Sequence, residues 1–295
     1  MSSVLVTGCS SGIGLETALV LGRAGHSVYA TMRKPEQDRI LRETIDRENL
    51  SVSVLALDVD SDEAVAATVA SVRSKAGFID ALVNNAGIER LGSIEELPLE
   101  AFRATMETNY FGSLRCIRAC LPEMRRRQSG CIVNVSSVAG RIASSPMSPY
   151  VASKFALEAI SEALAQEVKP FNIRVAVVEP GIIDTPMARR MAEFLVDSQY
   201  PQVRRFSGMF AASLANPTEP SLVADKIREI IESDSWQLRH PVGPSAQPFL
   251  GWRTSMTDEE WVNWGALDDN AWYERISRDF GLDARPTRDR RSTQA

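Results

Sequence analysis

Thr7-Gly8-Cys9-Ser10-Ser11-Gly12-Ile13-Gly14 stands between a short apolar run at 3–7 and a helical pattern at 12–24, whose Ile13, Thr17, Val20 and Leu21 share one side. The spacing is T-G-x-x-x-G-x-G, which differs from the G-x-G-x-x-G dinucleotide fingerprint. The physics is the same. Glycines let the backbone turn tightly and approach a pyrophosphate, whose charge meets the free N–H groups of the following helix. The plain alternative is a glycine-rich strand-to-helix turn with no ligand. Three glycines at this spacing, directly after the first strand, weigh against it.

Outward from this stretch, strand and helix alternate. Apolar runs at 27–31, 51–57, 81–84, 131–136 and 173–178 read as strands. Helical patterns at 36–48, 62–75, 100–127 and 149–169 lie between them. Short, nearly uninterrupted apolar strands alternating with helices predict an α/β fold: a Rossmann-like, doubly wound parallel sheet with helices on both faces. Residues 1–240 form that domain. All five tryptophans, at 236, 252, 261, 264 and 272, fall near the end. Thr257-Asp-Glu-Glu260 fits a capping box opening a short helix, and Asp268 or Asp269 caps another that runs to Phe280. Residues 241–282 read as an extension packed on the domain, either covering an edge or capping a cleft, and the polar 283–295 as a frayed tail.

Composition narrows the function. The chain has 295 residues, 44% hydrophobic and 24% charged, with a net charge of −5. That is ordinary for a soluble domain and unsuited to a general nucleic-acid surface. No run approaches a membrane span, and the first residues lack a basic, then apolar, leader, so the expected location is cytoplasmic. Two histidines, His26 and His240, leave little material for a metal site or a Ser-His-Asp triad. Cys9, Cys116, Cys120 and Cys131 contain no C-x-x-C and read as reduced, partly buried thiols. Arg125-Arg126-Arg127 ends a helix and reads as a solvated, dipole-matched face.

Three further clusters carry chemistry. Asn84-Asn85-Ala86-Gly87 follows the fourth strand and Asp58-Val59 the third, both at the sheet edge where such folds bind ligands. Ser137 follows the fifth strand. Tyr150 and Lys154, in Tyr-Val-Ala-Ser-Lys, share a helix face. A neighbouring cation lowers a phenol pKa that starts at about 10 and fits it for proton transfer at a carbonyl or alcohol oxygen. Only five lysines occur in the chain, so one at this position carries weight.

Together these residues, with Asn109 in Asn-Tyr-Phe-Gly112, Pro180-Gly181 and Thr185, resemble the short-chain dehydrogenase/reductase family in its standard single-domain branch over residues 1–235. The resemblance implies Tyr150 as the catalytic acid/base, with Lys154 holding the nicotinamide ribose and depressing the Tyr150 pKa. Ser137 would stabilise the substrate oxygen, and Asn109 would feed a water-linked proton relay. It implies a nucleotide site formed by Gly8, Ser10, Ser11, Gly12, Ile13, Gly14, Arg33, Asp58, Val59, Asn85, Ala86, Gly87, Tyr150, Lys154, Pro180, Gly181, Ile183 and Thr185, and no metal.

Met32 stands where NAD-specific members place Asp, and Arg33 can pair a phosphate. The expected cofactor is NADP(H) rather than NAD(H), with Met32→Asp as the sharp test. TGCSSGIG followed by Val28-Tyr29-Ala30-Thr31-Met32-Arg33 is similar to the 17β-hydroxysteroid and retinol dehydrogenase group, as is Leu238-Arg-His-Pro-Val-Gly243. Met187, Met191, Phe194, Leu195, Phe206, Met209 and Phe210 suit an apolar pocket for a lipophilic alcohol or ketone, or pack on the domain. Ala152, Ala156, Ala159 and Ala163 line one side of the Tyr150 helix and suit a homodimer or homotetramer. The alternatives are an NAD-linked dehydrogenase of a smaller alcohol, and a non-catalytic nucleotide sensor or scaffold.

Overall fold

The computed structural model describes residues 1–194 and 197–286. Leu195 and residues 287–295 of the expected tail lie outside them. Seven strands form one parallel sheet: β1 (Ser3–Val6), β2 (Ser27–Met32), β3 (Val52–Ala56), β4 (Ala81–Asn84), β5 (Gly130–Val135), β6 (Ile173–Pro180) and β7 (Arg239–Val242). Their order is β3-β2-β1-β4-β5-β6-β7. Val4 pairs with Val28 on one side and Ala81 on the other. The strand order reverses between β1 and β4, so the loops leaving these strands part and open a crevice at the C-terminal edge.

The helices, among the described residues, are α1 (Gly12–Arg23), α2 (Ile40–Glu48), α3 (Asp62–Ala76), α4 (Leu99–Met106), α5 (Gly112–Arg127), α6 (Ser148–Val168), α7 (Pro186–Ala192), α8 (Gln202–Leu214), α9 (Ser221–Glu232), α10 (Ala246–Thr254), α11 (Asp258–Gly265) and α12 (Asp269–Phe280). Alternation along β1 divides the core between two faces. Val4 and Val6 pack with Leu21 of α1, Leu41 of α2 and Ile227 of α9. Leu5, from the other face, packs with Val69 of α3, Ile117 of α5 and Leu164 of α6.

Local departures from the sequence pattern have local causes. The expected helix at 100–127 is two helices joined by a wider turn, Glu107–Phe111. Gly112 follows that turn because the backbone presses on β3's loop: a Cβ there would lie 2.7 Å from Val59 Cγ2. The expected helix at 36–48 shortens to α2, after a single tight turn opened by Pro35. Strand β7 straddles residue 240 and pairs on one side only, an edge position that tolerates Pro241.

The capping box of Thr257 and Glu260 opens α11, and Asp268 caps α12 by accepting from Ala271 N–H at 2.9 Å. Ala284 is fully buried, and a Cβ at Gly208 of α8 would overlap its carbonyl oxygen. Packing therefore reaches into the segment expected to fray from 283. Arg127 pairs with Asp80 at 2.7 Å and lies over the Phe78 ring, so it belongs to the base of β4 rather than to a solvated run. Arg125 and Arg126 are exposed. All four cysteines are free and buried, and burial pushes the thiols of Cys9 and Cys116 up to about 12.

Candidate active site

A cleft of about 750 Å³ opens at the C-terminal edge of the sheet. Its walls bring together Gly8, Ser10, Ser11, Gly12, Ile13, Arg33, Asp58, Val59, Asn85, Ala86, Gly87, Ser137, Tyr150, Lys154, Pro180, Gly181, Ile183 and Thr185. Of the residues expected from sequence, Gly14 and Asn109 stand behind the wall rather than on it.

The glycine loop is built for close approach. Gly8 and Gly12 have φ of 74° and 58°, where a side chain is strained. A Cβ at Gly14 would overlap the Gly8 carbonyl oxygen and the Asn85 amide. Asn85 fastens two loops together: its Nδ2 donates to the carbonyls of Thr7 at 2.9 Å and Gly8 at 3.1 Å, and its N–H donates to Thr7 Oγ1 at 3.0 Å. Ser11 precedes α1 without capping it by its side chain. The first amides of α1 therefore keep their capacity for an anion.

At the far end of β2, Met32 is 4% exposed and packs in the core, whereas Arg33 is exposed on the cleft wall. Arg33 forms no ion pair among the described residues. Asp60 lies close enough to feel its charge, although burial sets the Asp60 carboxyl above its ordinary range. Strand alternation explains the split: Val28, Ala30 and Met32 all face the core with α1.

Tyr150 and Lys154 of α6 are both buried beside Ser137. Lys154 Nζ donates to the Val135 carbonyl at 2.7 Å and lies 5.5 Å from the Tyr150 ring centre. Burial pushes the Tyr150 phenol up to about 12, the adjacent Ser137 opposing and Glu89 adding to the rise. Burial likewise brings Lys154 down to about 8, with Glu158 opposing. The depressed phenol expected from i,i+4 spacing is thus absent from this geometry. The ammonium points at a main-chain oxygen, and desolvation of the phenolate outweighs a cation several ångströms away. Ser137 Oγ accepts from Ala139 N–H at 3.1 Å.

Asn109, fully buried in the wide turn, accepts from Ile88 N–H at 2.8 Å and donates to the Ile88 carbonyl at 2.9 Å and to Ser153 Oγ at 2.9 Å. Its amide makes no hydrogen bond to Lys154. Wide helical turns recur where function displaces backbone. Thr185 caps α7 by accepting from Ala188 N–H at 3.2 Å, and Ile183 is 4% exposed in the core beneath the cleft.

A second cavity, of about 260 Å³, adjoins the cleft and shares Ser137, Met147, Gly181, Ile182 and Phe210 with it. Phe206, Met209, Phe249 and four tryptophans, 252, 261, 264 and 272, give it aromatic and apolar walls. The indoles interlock: Trp252 stands edge-on to Trp261 at 5.2 Å and to Trp264 at 4.8 Å. Trp261 Nε1 donates to the Ala143 carbonyl at 3.1 Å, which ties α11 to the segment between Ser137 and Tyr150. The extension both packs on the domain and walls this cavity. Sequence reading passed over Gln202 and Arg205 in the same wall. Nothing in the order Arg204-Arg205 distinguishes the buried arginine from its exposed neighbour, and only the apolar period of Phe206 and Phe210 hinted at a buried face.

The short chain dehydrogenase profile matches residues 2–195. The chain belongs to that family. This short-chain dehydrogenase is 38% identical to retinol dehydrogenase 8 of Bos taurus over 83% of its own length and 74% of the relative's. A short-chain dehydrogenase from Streptomyces avermitilis superposes with a TM-score of 0.76 at 33% identity, covering 94% of this chain and 97% of that one. A variant of actinorhodin polyketide ketoreductase, solved with NADPH, gives a TM-score of 0.72 at 30% identity, over 81% of this chain and 95% of that one. Among the described residues, no helix of this short-chain dehydrogenase is long and apolar enough to cross a membrane.

Proposed function

We propose that the chain is an NADP(H)-dependent oxidoreductase that interconverts an alcohol and a ketone or aldehyde on a lipophilic substrate. The carrying observation is that Ser137 lines both the glycine-loop cleft and the apolar cavity, so one hydroxyl stands where nucleotide and substrate would meet. The names of two similar proteins, a retinol dehydrogenase and a ketoreductase solved with NADPH, support the same reading.

The cleft fits a dinucleotide. Gly8 and Gly12, both at positive φ, let the loop turn close to a ligand, the first amides of α1 suit a pyrophosphate, and Arg33 suits a ribose 2′-phosphate. When bound, the nicotinamide gives or takes the hydride. Tyr150, pushed up to about 12, holds its proton at neutral pH and can donate it to a carbonyl oxygen during reduction. Lys154, an ammonium below about 8, favours the phenolate that donation leaves behind. Ser137 hydrogen-bonds the same oxygen as charge grows there. Asn109 holds the loop after β4 and the start of α6 in place, from where it would feed a water-linked relay to Lys154.

In this reading residues 1–240, with the end of β7, form the catalytic domain, and residues 241–282 an extension packed on it. Exposed Ala152, Ala159 and Ala163, with Phe155 beside them, give α6 a face suited to a second copy. Four unpaired thiols suit a reducing cytoplasm.

Titration with NADPH and NADH by nicotinamide fluorescence, then turnover of ketosteroids, retinal and aromatic ketones, tests the reading. NADPH binds more tightly and a bulky carbonyl is reduced. Tyr150→Phe lowers turnover by about 10²–10⁴-fold while NADPH still binds. Unchanged turnover in that variant removes the mechanism, and preference for NADH removes the cofactor assignment.

A further inference from the structure

The tryptophan-walled cavity is apolar in its rings but carries unmatched hydrogen-bond donors. Arg205 is 3% exposed and lines it. Its Nε donates to Asp269 at 2.8 Å and its Nη2 to the Leu267 carbonyl at 2.8 Å, while Nη1 has no partner. Asp269 is also claimed by Arg204, so two guanidinium groups share one carboxylate. The indole Nε1 atoms of Trp252 and Trp264, both in the cavity wall, are buried without an acceptor. Gln202 donates its Nε2 to the Gly265 carbonyl at 3.0 Å and leaves Oε1 unmatched. Among the residues that line the cavity, three buried donors and one buried acceptor are thus unmatched, and two guanidinium groups stand against one carboxylate. Trp261 shows the contrast, since its N–H is satisfied by Ala143.

Buried donors without partners are costly, and a ligand bringing acceptor oxygens removes that cost. We propose that this cavity binds a substrate with an apolar body and a carboxylate at the end remote from the reacting carbonyl, the carboxylate being received by Arg205 with the Trp252 and Trp264 N–H groups. This rests on the oxidoreductase reading above for the position of the carbonyl at Ser137. The aromatic walls take the body, and the donor cluster selects its tail.

Paired ketones test it: para-pentylacetophenone and its ω-carboxylate, with shorter and longer acids to scan the reach. In the wild type, kcat/KM for the best acid exceeds that of its alkyl partner by about tenfold or more. Arg205→Met brings the ratio to about one. Should that variant fail to fold, Trp252→Phe keeps an aromatic ring, removes the N–H and lowers the ratio by about threefold. A wild-type ratio of one or less, or a ratio that neither variant changes, overturns the proposal. The acid lacking its acetyl group separates binding from reaction through tryptophan quenching. Quenching in the wild type but not in the variants, with neither ketone reduced, keeps the subsite and removes the reaction assigned above. Reduction of the alkyl ketone with no preference for any acid does the reverse. Neither reduction nor quenching removes both.

Discussion

Asn109 Nδ2 donates to Ser153 Oγ at 2.9 Å, and Ser153 Oγ donates to the Tyr150 carbonyl at 2.7 Å. The wide turn between α4 and α5 is thereby joined to α6 within one turn of the phenol. The same amide clamps Ile88 through both main-chain atoms. Asn109→Ala leaves these buried groups unpaired, and each orphan costs about 1–3 kcal/mol. The expected loss is about 2–4 kcal/mol in urea denaturation, with kcat reduced as the loop after β4 shifts. A variant that keeps full stability and rate would mean that the amide positions nothing.

Arg33, at the end of β2, is an exposed cation on the cleft wall and has no ion-pair partner among the described residues, so its charge is available to a 2′-phosphate. Losing a charge-assisted pair weakens binding by about 1.5–3 kcal/mol, or about 10–100-fold. Arg33→Ala is expected to raise the Kd for NADPH by that factor and to leave NADH within about twofold. Equal losses for both nucleotides would place Arg33 away from the 2′ position. Met32→Asp, which the sequence alone suggests, is the poorer probe, because Met32 is 4% exposed and the change buries a carboxylate in the core.

The sheet and most of the cleft were legible because their signals are local. Apolar runs mark β1 to β6, and glycine spacing marks the loop that must approach a ligand. Strand β7 was not, since four residues containing His240 and Pro241 carry no apolar pattern and only the pairing with β6 reveals them. The Tyr150–Lys154 spacing rightly put both residues on one face. Spacing does not say where an ammonium points or how dry its surroundings are, so the direction of the Tyr150 shift was misread. Arg205 was invisible for a related reason: its burial depends on α12, which brings Asp269 across from 64 residues away.

Gly14 supports a prediction about the cradle itself. It lies in the first turn of α1 with ordinary helical backbone, so alanine there is not conformationally strained. The obstacle is space, because the added methyl overlaps the Gly8 carbonyl and the Asn85 amide that fastens the two loops. Gly14→Ala is expected to part these loops, cost about 1–3 kcal/mol by overpacking and raise the Kd for both nucleotides at least about tenfold. Unaltered nucleotide affinity would show that the loop closes without this contact.

Lys154 makes the stability of the protein depend on pH in a definite direction. Its pKa is about 8 in the folded chain against an ordinary 10.5. Below about pH 8 both states carry the proton, and burying the ammonium destabilises the fold. Between about 8 and 10.5 the unfolded chain keeps a proton that the folded chain has lost, so stability rises with pH. Tyr150 acts oppositely: held up at about 12 rather than 10, it makes stability fall as pH climbs through that interval. The buried thiols, also raised, pull the same way as Tyr150 from about pH 9. Comparing the wild type with Lys154→Met cancels these shared contributions. Urea denaturation of both is expected to show the wild type gaining on the variant by up to about 3 kcal/mol between about pH 7 and 10. A difference that stays flat would mean that Lys154 keeps its ammonium hydrated in the folded protein, and the pairing with Val135 would then be too open to hold the lysine beside Tyr150.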